Sequence, residues 1–296
     1  MNFLYNEKEY IPFHPSKSMD WKDKLHRGLD KKSILCVGLD TDMDRLRSDF
    51  ESQIDVNRMV VDATKDVAAA YKPNLAFYEK EGADGIRSLK DTIIYIREKA
   101  PDALIILDGK KGDIGNTSAS YAKAAYEEMD VDSVTLNGYM GRDVVEPFIE
   151  YSGRLNFVLC RTSNSSADPI QNLDVGGMPF YLIMAEMIRE WNGSGNLGLV
   201  VGATYPNELS RIRKSIGFDM PILIPGIGSQ GGNLEAVLEN GTDQKGGGIL
   251  INVSRGIMFA YQREEFKGME LGEAAFKASY HYGERIRRCL EDLGRW

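Results

Sequence analysis

Eight short apolar runs punctuate this chain, each closing in glycine or polar residues and each followed by apolar residues at helical spacing. The runs lie at 33–39, 69–77, 103–107, 132–136, 156–161, 197–202, 221–225 and 248–253. Runs of that length predict buried strands. Helices are predicted between them at 57–69, 85–100, 118–129, 178–191, 206–216 and 234–240. Strand–helix alternation repeated eight times is the pattern of an α/β fold of the (β/α)8 TIM barrel type, which needs about 250 residues. An open doubly wound sheet uses the same unit, so pattern alone leaves it standing. Residues 1–32 are read as an N-terminal extension packed on the barrel, and 33–296 as the single barrel domain, closed by one or two helices within 266–296.

Charge and composition narrow the function. A net charge of −8 argues against a nucleic-acid partner, which needs a basic footprint. No apolar stretch approaches the roughly 20 residues of a membrane span, and the first residues lack a basic flank followed by an apolar core. A cytoplasmic protein is the expectation. The cysteines fit a reducing compartment: Cys36, Cys160 and Cys289 cannot all pair, and the first two sit in apolar runs. None of His14, His26 and His281 lies near a strand end, so zinc sites and histidine triads find little support. Chemistry falls to lysine and aspartate.

In a barrel, function collects at the C-terminal ends of the strands. Taken in order, those ends carry Asp40, then Lys72-Pro73-Asn74, then Asp108-Gly109-Lys110-Lys111-Gly112-Asp113-Ile114-Gly115-Asn116-Thr117. Later come Arg161-Thr162-Ser163-Asn164, Pro225-Gly226-Ile227-Gly228-Ser229-Gln230-Gly231-Gly232 and Asn252-Val253-Ser254-Arg255-Gly256. Period-two alternation puts Asp108 and Lys110 on one face of their strand. Lys72 is a lone lysine in an apolar run; it must reach solvent or meet an acid, and Asp108 on the next strand is placed to meet it. The predicted array alternates in charge: Lys72, Asp108, Lys110, Asp113.

The last two segments suggest an anion site. Glycines after the seventh strand can aim backbone N–H groups at a phosphate, and Ser254 and Arg255 follow from the eighth. Gly226-x-Gly228-x-x-Gly231 also matches a dinucleotide fingerprint, but the acid expected at the end of the next strand is missing.

These six segments, in this order, resemble the orotidine 5′-phosphate decarboxylase family, in its longer bacterial form (type 2), from about residue 33 to 258. The family often has Ala at Gly109 and Arg at Lys111. The resemblance implies decarboxylation of orotidine 5′-monophosphate to UMP and CO2 in de novo pyrimidine synthesis, with no metal and no cofactor. It implies that Lys72 and Asp108 orient the array, that Lys110 protonates C6, and that Asp113 reaches the partner's site in a homodimer. It further implies substrate contacts from Asp40 and Thr117 (ribose), Ser163 (pyrimidine), Gln230 and Arg255 (phosphate), with Asn74, Thr162, Pro225 and Ser254 beside them. Two other readings compete: a Mg²⁺-dependent sugar-phosphate enzyme on the same barrel, and a nucleotide-binding sensor without catalysis.

Overall fold

Eight parallel strands close on themselves in chain order: β1 (Leu35–Leu39), β2 (Ala70–Pro73), β3 (Leu104–Lys111), β4 (Ser133–Leu136), β5 (Leu155–Arg161), β6 (Leu197–Val201), β7 (Ile222–Pro225) and β8 (Ile249–Val253). β8 pairs back onto β1, Leu35 opposite Ile251 and Val37 opposite Val253, which makes the sheet a barrel and excludes the open alternative. The computed structural model describes residues 19–46, 50–228 and 231–296. Among these, no helix is long and apolar enough to cross a membrane.

The pleat sorts each strand into two faces. Cys36, Ala70, Leu104, Ile106, Phe157, Val200, Leu223 and Leu250 form one buried cluster, the filling of the barrel. Their neighbours, among them Val37, Tyr71, Ile105, Leu107 and Ile251, belong to the larger cluster shared with the surrounding helices. The inward register continues upward into polar residues. Lys72 follows Ala70, Asp108 follows Ile106, and Thr135 follows Ser133, so three polar side chains enter the barrel at its C-terminal mouth.

The opposite mouth is closed by helix Trp21–Asp30, whose first turn is capped by the Asp20 side chain accepting from the Lys22 amide at 2.8 Å. Trp21 joins the interior cluster. Lys24, only 1% exposed, donates to the Ala103 carbonyl (3.1 Å) and to Asp132 (2.9 Å). The rest of the predicted extension, residues 1–18, lies outside the described residues.

Three local readings need correction. The apolar run 69–77 is not one strand: β2 stops at Pro73, and Leu75–Glu79 is a helix. Proline has no amide to continue the ladder, and Leu75 and Tyr78 bury together at helical spacing. β3 runs on to Lys111 with a register shift between Leu107 and Lys111. The helix predicted over 178–191 begins at Phe180, because Met178–Pro179 pairs with Asp174–Val175 in a hairpin turned by Gly176 and Gly177, both at positive φ.

Candidate active site

Asp108 stands at the centre of the C-terminal mouth, 7% exposed. One carboxylate oxygen accepts from the Lys72 ammonium at 2.7 Å; the other accepts from Lys110 at 2.7 Å and from the Thr135 hydroxyl at 2.8 Å. A buried carboxylate is tolerable only when its lone pairs are met in this way. Burial alone would raise its pKa, but Lys72 and then Lys110 outweigh burial and hold it well below the usual carboxylate range. For Lys72, burial favours the neutral amine; Asp108 and then Asp40 overcome it and lift the pKa above the ordinary lysine value. The cluster is therefore an ammonium, a carboxylate and a second ammonium in a row. Lys72 is buried, whereas the Lys110 side chain is half exposed and faces the mouth.

Lys110 reaches this place by an unusual backbone. Its φ is +46°, in the left-handed region that side chains other than glycine seldom adopt. Its amide leaves the ladder and donates to the Thr135 hydroxyl at 2.9 Å. One hydroxyl thus holds both the Asp108 carboxylate and the Lys110 backbone. Directly below, burial pushes the Cys36 thiol up to about 12, which leaves it no part in nucleophilic chemistry near neutrality.

Asp40 approaches from β1, with one carboxylate oxygen 3.8 Å from the Lys72 ammonium. That oxygen is buried and accepts no hydrogen bond among the described residues. Across the same mouth Gly38 meets Ser254 so closely that a Cβ would lie 1.9 Å from its hydroxyl, which only glycine allows. Among the described residues no three His, Cys, Asp or Glu side chains gather into a metal-binding group.

The model of the orotidine 5′-phosphate decarboxylase / HUMPS family matches residues 33–267. The chain belongs to this family. The orotidine 5′-phosphate decarboxylase of Thermomicrobium roseum is 44% identical to it over 278 residues, 91% of this chain and 97% of that one. The enzyme of the same name from Cupriavidus necator is 44% identical over 239 residues, 79% and 87% of the two chains. Among solved structures, Leishmania donovani OMP decarboxylase superposes with a TM-score of 0.78 at 34% identity, covering 92% of this chain and 98% of that one.

The residues assigned by resemblance to this orotidine 5′-phosphate decarboxylase family fall into unequal groups. Lys72, Asp108 and Lys110 touch, and Asp40 adjoins them. Asp113 stands apart: its carboxylate accepts from the next amide, Ile114, at 2.8 Å, and among the described residues it forms no ion pair. Asn74 lies opposite Asp108 in a bridge between β2 and β3. Thr117 is exposed on helix Gly115–Lys123. Ser163 rests against Gly202. The Thr162 hydroxyl is committed within the protein, donating to Asn164 at 2.6 Å and accepting from Gln171 at 2.7 Å. Pro225 ends β7, its carbonyl accepting from the Ala203 amide at 2.8 Å, while Ser254 follows β8 and Arg255 begins the one-turn helix Arg255–Met258. Gln230 lies outside the described residues.

Thr135 escaped the sequence reading. Its signal was available: Ser133 and Thr135 place polar side chains at alternate positions of a four-residue strand that is buried throughout.

Proposed function

We propose that this chain decarboxylates orotidine 5′-monophosphate to UMP without a metal, as a step that supplies pyrimidine nucleotides. The observation that carries the reading is the buried Asp108 carboxylate held between Lys72 and Lys110 at 2.7 Å each. The identity to relatives named for this activity supports it.

Breaking the C6–carboxylate bond releases CO2 and leaves its electron pair in an sp² orbital at C6, with no conjugated sink. A fixed ammonium at that position stabilises the developing charge most where water is excluded. Lys110 supplies it, then transfers a proton to C6 and is reprotonated from solvent. Asp108 faces the departing carboxylate and keeps Lys110 aligned; Lys72 keeps Asp108 ionised and in place. The Asp40 oxygen that accepts no hydrogen bond suits a ribose hydroxyl, with Thr117 as the second ribose contact. Ser163 binds the pyrimidine edge, and Arg255 with Gln230 the phosphate, flanked by Asn74, Pro225 and Ser254. Thr162 shapes the loop that presents Ser163. Binding energy gained at the distant phosphate holds the pyrimidine against the charged row.

The test is direct. With orotidine 5′-monophosphate and excess EDTA, the ultraviolet absorbance change of conversion to UMP is expected at full rate; turnover abolished by the chelator contradicts the reading. Asp113 is assigned to the neighbouring subunit's site in a homodimer. Mixing Asp113→Ala with Lys110→Ala chains is then expected to restore up to about a quarter of wild-type activity, the share of sites with both residues intact in a random mixture. No restoration contradicts a shared site.

A further inference from the structure

Beside the loops after β7 and β8 lies a cavity of about 410 Å³ whose charged lining, among the described residues, is three arginines, Arg45, Arg255 and Arg263. Such a wall is unexpected in a chain with a net charge of −8. Among the described residues neither Arg45 nor Arg255 has a carboxylate partner, and Arg263 pairs only with Glu265 at the rim (2.8 Å). Gly228 from the loop after β7 and Gly256 from the loop after β8 complete one side. Both are packed on the Tyr282 hydroxyl, where a Cβ would come within 2.8 Å at Gly228 and 2.7 Å at Gly256.

Two of these arginines, Arg45 and Arg263, rest on aromatic rings. The Arg45 guanidinium lies 4.6 Å from the Phe259 ring centroid, and its carbonyl accepts from Gln262 at 2.8 Å, tying the loop after β1 to the segment after β8. Arg263 lies 5.4 Å from the Phe266 ring centroid. Converging guanidiniums repel one another unless an anion joins them. A single phosphate group carries about −1.5 to −2 at neutral pH, less than three arginines. The volume exceeds the share of one phosphate, given that a water takes about 30 Å³. Guanidiniums suit phosphate oxygens because they can bind them in pairs.

We propose that this cavity is a second-phosphate subsite, adjoining the one that holds the substrate's 5′-phosphate, and that it admits pyrimidine nucleoside 5′-diphosphates as competitive ligands. Arg255 serves both phosphates; Arg45 and Arg263 serve only the second. The inference rests on the functional reading above.

Calorimetric titration of the full-length protein with UMP, UDP and inorganic pyrophosphate separates the possibilities. UDP is expected to bind about tenfold more tightly than UMP, and pyrophosphate more weakly than UDP. In the double variant Arg45→Gln/Arg263→Gln, UDP is expected to fall to the affinity of UMP, with UMP itself unchanged within about twofold. That unchanged UMP affinity also reports an intact fold. UDP binding no tighter than UMP in the wild type, UDP keeping its advantage in the variant, or UMP weakening equally would each overturn the subsite. Pyrophosphate binding as tightly as UDP would overturn the nucleotide assignment. A wild-type protein that does not bind UMP at all would overturn the functional reading, and this inference with it.

Discussion

Asp108 is held between Lys72 and Lys110, and pairing shifts Asp108 and Lys72 in opposite directions. The Asp108 pKa is depressed in the fold, so its contribution to stability is complete above the unfolded value of about 3.9 and is lost as pH falls through the folded value. The Lys72 pKa is raised, so its contribution is complete below about 10.4 and is lost as pH rises through the folded value. The stability gap between wild type and Asp108→Asn, measured by urea unfolding, is therefore expected to stay flat from about pH 5 to 9 and to narrow in stronger acid. A gap that narrows near neutrality contradicts the pairing. Thr135 is a positioning residue in this scheme. Thr135→Val is expected to lower kcat by about tenfold to a hundredfold, the effect of losing a hydrogen bond to a charged group, while leaving UMP affinity nearly unchanged. A matching rise in KM with kcat intact would assign it to substrate binding instead. The Lys72–Asp108 contact was legible because a lone lysine in an apolar run needs an acid, and period-two alternation supplies one next door. The left-handed backbone of Lys110 was not, because the Thr135 hydroxyl that its amide meets lies 25 residues downstream on another strand.

At the level of strands and helices, Asp132 joins three elements. Its carboxylate accepts from Lys24 of helix Trp21–Asp30 (2.9 Å), from both terminal nitrogens of Arg97 on helix Gly82–Lys99 (2.8 and 2.7 Å) and from the Ile105 amide of β3 (2.8 Å). Lys24 is almost fully buried, and burial, the largest influence on it, lowers its pKa despite Asp132. Removing the acid strands that charge. Asp132→Ala is expected to cost about 3–5 kcal/mol in urea unfolding, the penalty for breaking a buried ion pair by deleting one partner. A loss below about 1 kcal/mol would mean the network contributes no net stability. Strands that appear as isolated apolar runs were easy to find in the sequence. The end of β2 was not, because Leu75, Ala76 and Phe77 continue the apolar character past Pro73 while the backbone changes to helix. The hairpin at 174–179 was missed because its two strands have two residues each, too short for any period to show.

Barrel closure belongs to the whole molecule. Whether eight strand–helix units close or stay open is decided by the pairing of β8 with β1, between residues more than 200 apart in sequence, and no local pattern records it. Closure matters for chemistry because it brings Ser254, after the last strand, against Gly38 of the first, beside the mouth where neighbouring strands carry Lys72, Asp108 and Thr135 over an apolar filling. At the other mouth, among the described residues, Trp21 and the Lys24 ammonium paired with Asp132 fill the opening. The central claim about this molecule is that the charged row carries the reaction. The most direct test is steady-state decarboxylation of orotidine 5′-monophosphate by Lys110→Ala beside wild type, with UMP affinity measured on both. The account predicts a loss of about 10⁴-fold or more in kcat with UMP affinity kept within about tenfold. A variant that binds UMP normally and still turns over within about tenfold of wild type would contradict it.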